Sequence, residues 1–453
     1  MSRSENNVLC IQKYNLRRFD GMVFRSKLLS LVLAGAVVLG CAISADATNG
    51  YDMIALGAKS LGEAGATVAH PLDSSTILQN PAGIGMLNST VNVAGAVFLP
   101  TRNLNGENSS SNVYMIPAAG FVVNPAGNEG TATAFSYGIG MFGVSGMGVD
   151  WSNQNLTGTG WLKKAYSNLQ VMEFGAGGAY RVNSHLSVGI TPVFVYQSLQ
   201  MEYDWNVQYP SGYTPPPGSP TAGVHRDVLD TATAYGFGFN AGALYEINDY
   251  VQIGAAYTSP RWMGKLLWNV TPDSGTMMIN PGASTVSMRL DMPQQVAAGI
   301  HVQPLEYLGI EADAKWINYH AVMNQVDTQG LLTGAPNNTW NFNWKDQWVF
   351  AISPEYRITK SLTVAAGYNY GQDPIDSSSL NNNIIAPAIV QSHITAGITY
   401  GINDHLDVSG AYAYAFSETL SCTNSGQYYA MFGPKTTIDM HQNTAAIELS
   451  YKF

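Results

Sequence analysis

The stretch Leu308–Trp316 reads LGIEADAKW, and its residues alternate between two kinds of side chain. Every second residue from Leu308 onward is apolar, whereas Glu311, Asp313 and Lys315 stand on the opposite parity. Successive side chains of a β-strand point to opposite faces, so the pattern predicts a strand with one apolar and one polar face. Such a strand turns its apolar face either to a protein core or to lipid.

The same alternation continues along the chain from about residue 89. It is clearest in residues 362–370, 394–400 and 445–453. We predict about 14 strands, an even number as in bacterial transmembrane barrels. The predicted strands cover 89–99, 112–124, 131–143, 169–182, 185–200, 231–247, 250–258, 285–303, 306–319, 344–358, 360–372, 391–402, 404–417 and 441–453.

The connections between these strands decide between a soluble barrel and a membrane barrel. Short turns, such as Tyr245–Val251 and Tyr400–Leu406, alternate strictly with long stretches rich in Gly, Pro, Asn and Ser. Short periplasmic turns and long external loops are typical of outer-membrane barrels. The sequence therefore predicts an all-β, antiparallel transmembrane barrel in the outer membrane of a Gram-negative bacterium, with its apolar faces against lipid.

The composition agrees with a barrel of this kind. Of the 453 residues only 11% are charged, against about 25% in an ordinary soluble domain. The hydrophobic fraction is 46%, which excludes a disordered chain. The formal net charge of −10 disfavours a nucleic-acid partner, since nucleic-acid affinity depends on basic residues.

Residues 1–47 are predicted to be a leader. Leu28–Ala45 is an apolar run preceded by Arg25 and Lys27, and a small-residue exit follows at Ala47. A basic region, an apolar region and a small-x-small site describe a secretory signal peptide. We therefore predict export and cleavage after Ala47.

Two further features of the leader concern where translation starts and where the mature chain begins. Met22 precedes the basic region directly, so we predict that translation starts there. Val38–Cys41 reads VLGC and is similar to a lipobox, so lipidation of Cys41 stays open as an alternative to cleavage after Ala47. After that cleavage Cys422 is the one cysteine left, and no intramolecular disulfide is expected.

Residues 48–88 do not alternate, and they precede the first predicted strand. Asp73–Ser75 can cap a short helix that runs to Asn80. Asn80–Gly83 reads NPAG, which by itself indicates only a helix stop and a turn.

In its arrangement the chain resembles the FadL-type family of outer-membrane transporters for long-chain fatty acids and aromatic hydrocarbons. The resemblance rests on Asn49–Tyr51, Gly57–Ala66, Asp73–Ser75 and Asn80–Gly83, and on Phe453 at the C-terminus. It is strongest in the first fifth of the mature chain and mainly architectural beyond.

The resemblance implies a barrel of about 14 strands over 89–453, plugged by an N-terminal hatch over 48–88. The hatch motif would consist of Asn80, Pro81, Ala82 and Gly83. The resemblance also implies capture of hydrophobic compounds by external loops and their passage to an apolar lumen pocket. It further implies lateral release at a kinked third strand after the hatch rearranges. The implied partners are hydrophobic small molecules, outer-membrane lipid and the barrel-assembly machinery.

Four groups of candidate residues follow. The kink is placed at Gly138, Gly140 and Gly143, because glycine in a strand marks bends. An amphipathic helix over 160–169 would present apolar and basic side chains where ligand enters. That segment contains Trp161, Leu162, Lys163, Lys164 and Tyr166. Tyr451 and Phe453 would form the signal for barrel assembly.

The fourth group is polar and shares lumen parity. Glu311, Asp313 and Lys315 either neutralise one another or contact ligand. Arg289 is predicted to face the lumen, where it meets an anionic headgroup or pairs with Asp291.

Catalytic and cofactor signatures are weak. The eight histidines show no metal-ligand spacing, and the glycine-rich string 138–143 lies inside a predicted strand rather than a βαβ unit. We find no nucleophile elbow, zinc motif or P-loop. We therefore expect no enzyme, no metal and no cofactor. A hydrophilic diffusion porin, a barrel-embedded hydrolase and an adhesin remain the alternatives.

Overall fold

A computed structural model describes residues 49–125, 135–152, 161–209, 211–212, 214, 222–270, 278–280, 282–331, 339–425, 429 and 432–453. The predictions for the leader, including Met22 and Cys41, lie outside these ranges, as do residues 131–134 of the third predicted strand. Within the described ranges no helix is long and apolar enough to cross a membrane.

Fourteen antiparallel strands, each bonded to the next along the chain, form a closed barrel. In chain order they are β1 (Thr90–Leu104), β2 (Tyr114–Val123), β3 (Phe135–Trp151), β4 (Leu162–Arg181), β5 (Leu186–Val207), β6 (Gly223–Asn248), β7 (Val251–Thr258), β8 (Gln295–Leu305), β9 (Leu308–Ile317), β10 (Gln347–Thr359), β11 (Leu362–Gly371), β12 (Ser392–Gly401), β13 (Leu406–Thr423) and β14 (Lys435–Lys452). Closure comes from β1, which pairs with both β2 and β14. The predicted fold class and strand number are confirmed.

The two faces of the strands differ as the sequence predicts. In β14, Ile447 and Leu449 are 61% and 52% exposed, whereas Glu448 and Ser450 between and beside them are 2% and 1% exposed. The apolar parity therefore points outward, where a bilayer replaces water, and the polar parity points into the lumen.

At one end of the barrel the strands are joined by tight turns. The side chain of Asn183 accepts hydrogen bonds from the amides of His185 and Leu186, both at 2.8 Å. Asn403 makes the same turn with His405 and Leu406. An asparagine that bonds its own backbone two residues on favours such turns, which explains the repeated Asn-x-His-Leu sequence.

The opposite end carries long connections, and we call it the external end because long loops of outer-membrane barrels face outward. A small four-stranded sheet lies there, built from Leu266–Asn269, Thr285–Met288, Gln325–Gln329 and Thr339–Asn341. Two short strands pair with the barrel: Glu107–Asn108 bonds β1 and Trp262–Met263 bonds β6. Among the described residues, this end contains an α-helical turn, His320–Met323, and a 3-10 helix, Ser377–Asn383.

The predicted strand 285–303 is wrong as a single strand. Thr285–Met288 belongs to the external sheet, and β8 begins only at Gln295. Pro293 lies between them and cannot donate to a strand ladder, so the chain leaves the barrel before it. On the external side β4 starts seven residues earlier than predicted, at Leu162, because its alternation continues beyond the barrel wall.

Residues 49–88, the described part of the segment predicted to be the hatch and called the hatch below, contact inward-facing side chains of the barrel. They contain α1 (Ala58–Gly62), α2 (Thr76–Gln79) and a 3-10 helix (Pro81–Gly85). α1 packs against β12 and β13, and the 3-10 helix packs against β4, β5 and β6. The hatch therefore contacts opposite sides of the wall and lies across the lumen.

Candidate functional site

Carboxylates of the wall hold the hatch by its backbone. The Asp313 side chain accepts hydrogen bonds from the amides of Thr67 and Val68, at 2.8 and 3.0 Å. Glu311 accepts one from the amide of Ala69 at 2.8 Å. These two residues thus fix the hatch, a role that lumen parity alone did not reveal.

A third carboxylate, Glu448 of β14, holds the beginning of α1. Its side chain accepts hydrogen bonds from the amides of Ala58 and Lys59, at 2.9 and 3.4 Å. The first amides of a helix have no intrahelical partner, and the preceding residue, Gly57, has no side chain to accept them. Glu448 takes the place of a capping side chain from the adjoining wall. The sequence placed it on lumen parity but offered no sign of this partner.

The predicted hatch motif lies at the start of the 3-10 helix. Asn80 donates to the carbonyls of Val68, at 2.7 Å, and Ala243 of β6, at 3.3 Å. Its side-chain oxygen accepts from the amide of Ala82, and Pro81 occupies the first helical position, where no amide donor is needed. Asn80 thus joins two parts of the hatch to the wall.

Close backbone approach makes two wall glycines essential at this contact. A Cβ added to Gly189 of β5 would lie 2.4 Å from the backbone of Pro81. A Cβ added to Gly254 of β7 would lie 2.2 Å from the carbonyl oxygen of Val68. No side chain fits at either position while the hatch stays in place.

A cavity of about 110 Å³ separates the hatch from the wall. Its polar lining includes Asp52, Ser145, Glu173, Arg261, Gln295 and Lys315. Ser145 and Gln295 donate to the Asp52 carboxylate at 2.6 and 2.7 Å. Arg261 donates to both oxygens of Glu173, at 2.7 and 2.9 Å. Lys315 borders the cavity from β9.

The barrel ladder is interrupted beside this cavity, between β2 and β3. Gly138 and Gly140 lie in regular pairing, which ends where Ala118 faces Phe142. A register shift between Gly143 and Ser145 leaves Val144 as an extra residue against β4. Of the three predicted kink glycines, only Gly143 adjoins the bulge.

Backbone atoms of the hatch fill the interrupted ladder. Met53 donates its amide to the carbonyl of Val144 at 2.9 Å, and Gly146 donates to the carbonyl of Tyr51 at 3.1 Å. Beyond Phe142, β3 has no β2 partner within the described residues. The N-terminus of the hatch therefore covers an opening in the wall.

The lumen changes character from the hatch outward. On β5 the inward-facing residues are Ser187 and Thr191 at the level of the hatch. Farther out Gln197 is the polar exception, and the other inward side chains are apolar or aromatic and buried. They are Val193, Val195, Leu199, Met201, Tyr203 and Trp205. The outer lumen is thus lined by apolar side chains, which join the largest buried apolar cluster of the protein.

The segment predicted to be an amphipathic helix is a strand. Leu162 begins β4, with Tyr166 opposite Glu202 in the ladder with β5. Lys164 forms an ion pair with Glu202 at 2.7 Å and lies over the ring of Tyr166. Pairing with β5 over its whole length overrides a helical pattern that only ten residues supported. Trp161 directly precedes this extension at the external end, and Lys163 lies within it.

The prediction that Arg289 faces the lumen is also wrong. Arg289 is exposed, and its amide donates to the carbonyl of Asp327 in the external sheet. Asp291 accepts a hydrogen bond from the amide of Met263 at 2.7 Å. Strand parity fails here because the chain has left the barrel. At the other end, Tyr451 and Phe453 stack at 6.4 Å on the last strand.

Comparison with known proteins was made at the level of sequence and of structure. Residues 39–453 match a family described as outer membrane protein transport protein (OMPP1/FadL/TodX). The chain is 22% identical over 377 residues to a long-chain fatty acid transport protein of Escherichia coli O6:H1, covering 76% of this chain and 81% of that protein. It is 21% identical over 454 residues to outer membrane protein P1 of Haemophilus influenzae, covering 89% and 95%.

Two solved structures share the fold. The toluene transporter TodX of Pseudomonas putida superimposes with a TM-score of 0.69 at 20% identity, over 90% of this chain and 100% of that one. A FadL homologue of Pseudomonas aeruginosa gives 0.68 at 17% identity, over 89% and 100%.

Proposed function

The chain belongs to the outer membrane protein transport protein family (OMPP1/FadL/TodX), and from that premise we propose that it takes up fatty acids or hydrocarbons through the lumen. The names of its relatives refer to fatty acids and toluene, which share poor solubility in water. The observation that carries the proposal is the apolar lining of the outer lumen above the hatch. Apolar compounds gain free energy by leaving water for such a surface.

The interrupted ladder supports a lateral exit. A compound that left between β2 and β3 would pass from the lumen into the bilayer without crossing the aqueous periplasm. The hatch backbone at Tyr51 and Met53 covers this opening, so release requires the hatch to move. Lys315, at the polar cavity beside the opening, would receive an anionic headgroup.

The alternatives fit the geometry less well. A hydrophilic diffusion porin needs a continuous polar path, whereas the hatch lies across this lumen and the outer lumen is apolar. We therefore favour transport of apolar compounds over diffusion of hydrophilic ones, and transport over hydrolysis or adhesion.

Uptake of labelled oleate and labelled toluene by cells that carry the chain tests this proposal. We expect uptake above that of cells without it, and a marked loss in Asn80→Ala, which removes the bonds to Val68 and Ala243. Asn103→Ala, in the external hairpin of β1, is the matched control and should leave uptake unchanged. Wild-type uptake no better than that of empty cells would refute the proposal.

Deletion of Val144 tests the lateral exit by itself. Removing the extra residue would restore regular pairing of β3 with β4 and keep every side chain beyond it on its face. We expect uptake to fall while binding of ligand to the purified protein persists. Undiminished uptake would exclude an exit at this opening.

A further inference from the structure

The connection between β11 and β12 folds into the barrel from the external end. We call residues 377–390 the external insert: the 3-10 helix Ser377–Asn383 is followed by Ile384–Val390, which reads IIAPAIV. All seven residues of that second part are buried, although connecting segments normally run over the surface. Its isoleucines are at most 4% exposed. The outer lumen thus contains a stretch of chain that has no polar side chain.

Asparagines fasten the upper part of the external insert at the rim. Asn381 donates to the side chain of Asn424 at 2.8 Å. Asn383 accepts a hydrogen bond from the indole of Trp344 at 2.6 Å and donates to the carbonyl of Phe342 at 2.8 Å. The 3-10 helix is therefore held by polar contacts to neighbouring connections on both sides.

The lower part, Ile384–Val390, contacts the wall in another way. The indole of Trp151 donates to the carbonyl of Ile384 at 2.8 Å, and Ser167 donates to the carbonyl of Ile385 at 2.5 Å. The remaining contacts are apolar and belong to the cluster that lines the outer lumen. Water could replace both hydrogen bonds, so apolar burial is what keeps this part in place.

The position of Ile384–Val390 relates it to the exit. Residues 386–388 border a gap of about 10 Å³ opposite residues 146–148 of β3. That part of β3 follows the bulge at Val144 directly. The gap leaves no room for a hydrophobic compound between the external insert and the wall. The external insert therefore lies in the space between the external end and the lateral opening.

We infer that Ile384–Val390 occupies the outer binding site for hydrophobic compounds as an internal competitor, which must withdraw before a ligand can bind there. The inference rests on the proposed function. Both the external insert and a ligand would bury apolar surface against the wall around Trp151, and the two cannot do so together. The apparent affinity for ligand is then the intrinsic affinity reduced by the fraction of molecules in which the site is open.

Equilibrium binding of labelled oleate and labelled toluene to the purified full-length protein tests the inference. Ile385→Ser combined with Ile389→Ser weakens the competitor, so we expect binding about tenfold tighter than in the wild type. Ile279→Ser combined with Val326→Ser is the matched control, since both residues are buried in the same apolar cluster outside the external insert. The control should bind no more tightly than the wild type.

The sign of the change decides the result. If the external insert were a fixed wall of the site, the two serines would weaken binding, and weaker or unchanged binding overturns the inference. Should the double variant fail to fold, Asn383→Ala loosens only the upper attachment and should tighten binding about threefold. If neither wild type nor variants bind either probe, the proposed function fails. Binding by the variants alone would support the external insert as a competitor.

Discussion

The hatch and the external insert enter the same lumen from opposite ends and are held there by different forces. Wall carboxylates such as Asp313 and Glu448 bind backbone amides of the hatch, and glycines let the two backbones touch. The external insert is held mainly by burial of Ile384–Val390. A hydrophobic ligand can replace apolar contacts but cannot supply a carboxylate at two fixed points. If the proposed function holds, the comparison predicts that ligand displaces the external insert first and the hatch only afterwards.

The largest effect should come from removing a hatch carboxylate. Asp313→Ala leaves the amides of Thr67 and Val68 without the acceptor of both hydrogen bonds, and we expect a loss of about 3 kcal/mol in hatch retention. Hydrogen exchange at these two amides should accelerate about a hundredfold, while exchange in the external insert stays unchanged. Asp404→Ala, at an exposed turn, is the control. Equal rates of hydrogen exchange at Thr67 and Val68 in Asp313→Ala and Asp404→Ala would contradict the role given to Asp313.

A somewhat smaller effect is expected from filling the close contact of hatch and wall. Gly254→Ala places a methyl group against the Val68 carbonyl, and overpacking of this kind costs about 2 kcal/mol. The displaced hatch should raise ion conductance of the purified protein in planar bilayers. Gly95→Ala serves as the control because its methyl group would meet nothing within 4 Å. A conductance rise in both variants would show that the contact is not specific.

On the side of the external insert, Trp151→Phe should have a milder effect. It removes the donor to the carbonyl of Ile384 and costs about 1 kcal/mol. Amides of residues 384–390 should exchange about fivefold faster, whereas those at Thr67 and Val68 should not change. Trp262→Phe, at an exposed indole, provides the comparison. Faster hydrogen exchange at Thr67 and Val68 would mean that the hatch and the external insert are not held independently.

The smallest effect concerns pH. Burial, with the negative charges of Glu418 and Asp376 nearby, raises the pKa of Asp373 at the base of the external insert to about 7. The closed form then favours the protonated acid, so its stability should fall as pH rises from about 5 to 8. If opening lowers the pKa of Asp373 by about half a unit, ligand affinity should rise about threefold over that range, and Asp373→Asn should abolish the change. A pH response that persists in Asp373→Asn would assign it elsewhere.

The parts of the fold that follow from local physics could be predicted. Alternation in Leu308–Trp316 and in 445–453 defines which face of each strand meets lipid, because side-chain direction depends only on parity. The turns at Asn183 and Asn403 likewise depend on neighbours two or three residues away. Strand existence and facing therefore required no knowledge of distant partners.

The contacts that matter for the site depend on distant partners. Glu448 and Ala58 are 390 residues apart, and nothing near either one indicates the other. The break before β8 had a local signal in Pro293, which the alternation of 285–303 concealed. The external insert also had a signal, since IIAPAIV is an apolar run within a connection otherwise rich in polar residues. Strand parity could say nothing of Arg289, which lies outside the barrel register.

The seam between β1 and β14 has a consequence for assembly. The hatch leads directly into β1, and β14, the last strand synthesised, carries the glutamate that caps α1. The pairing of β14 with β1 and the binding of α1 by Glu448 therefore depend on the same strand register. A slip of one residue along the seam would turn Glu448 toward lipid and uncap α1 at the same time. The contact between Glu448 and α1 in the hatch is thus compatible with only one register of the β1–β14 seam.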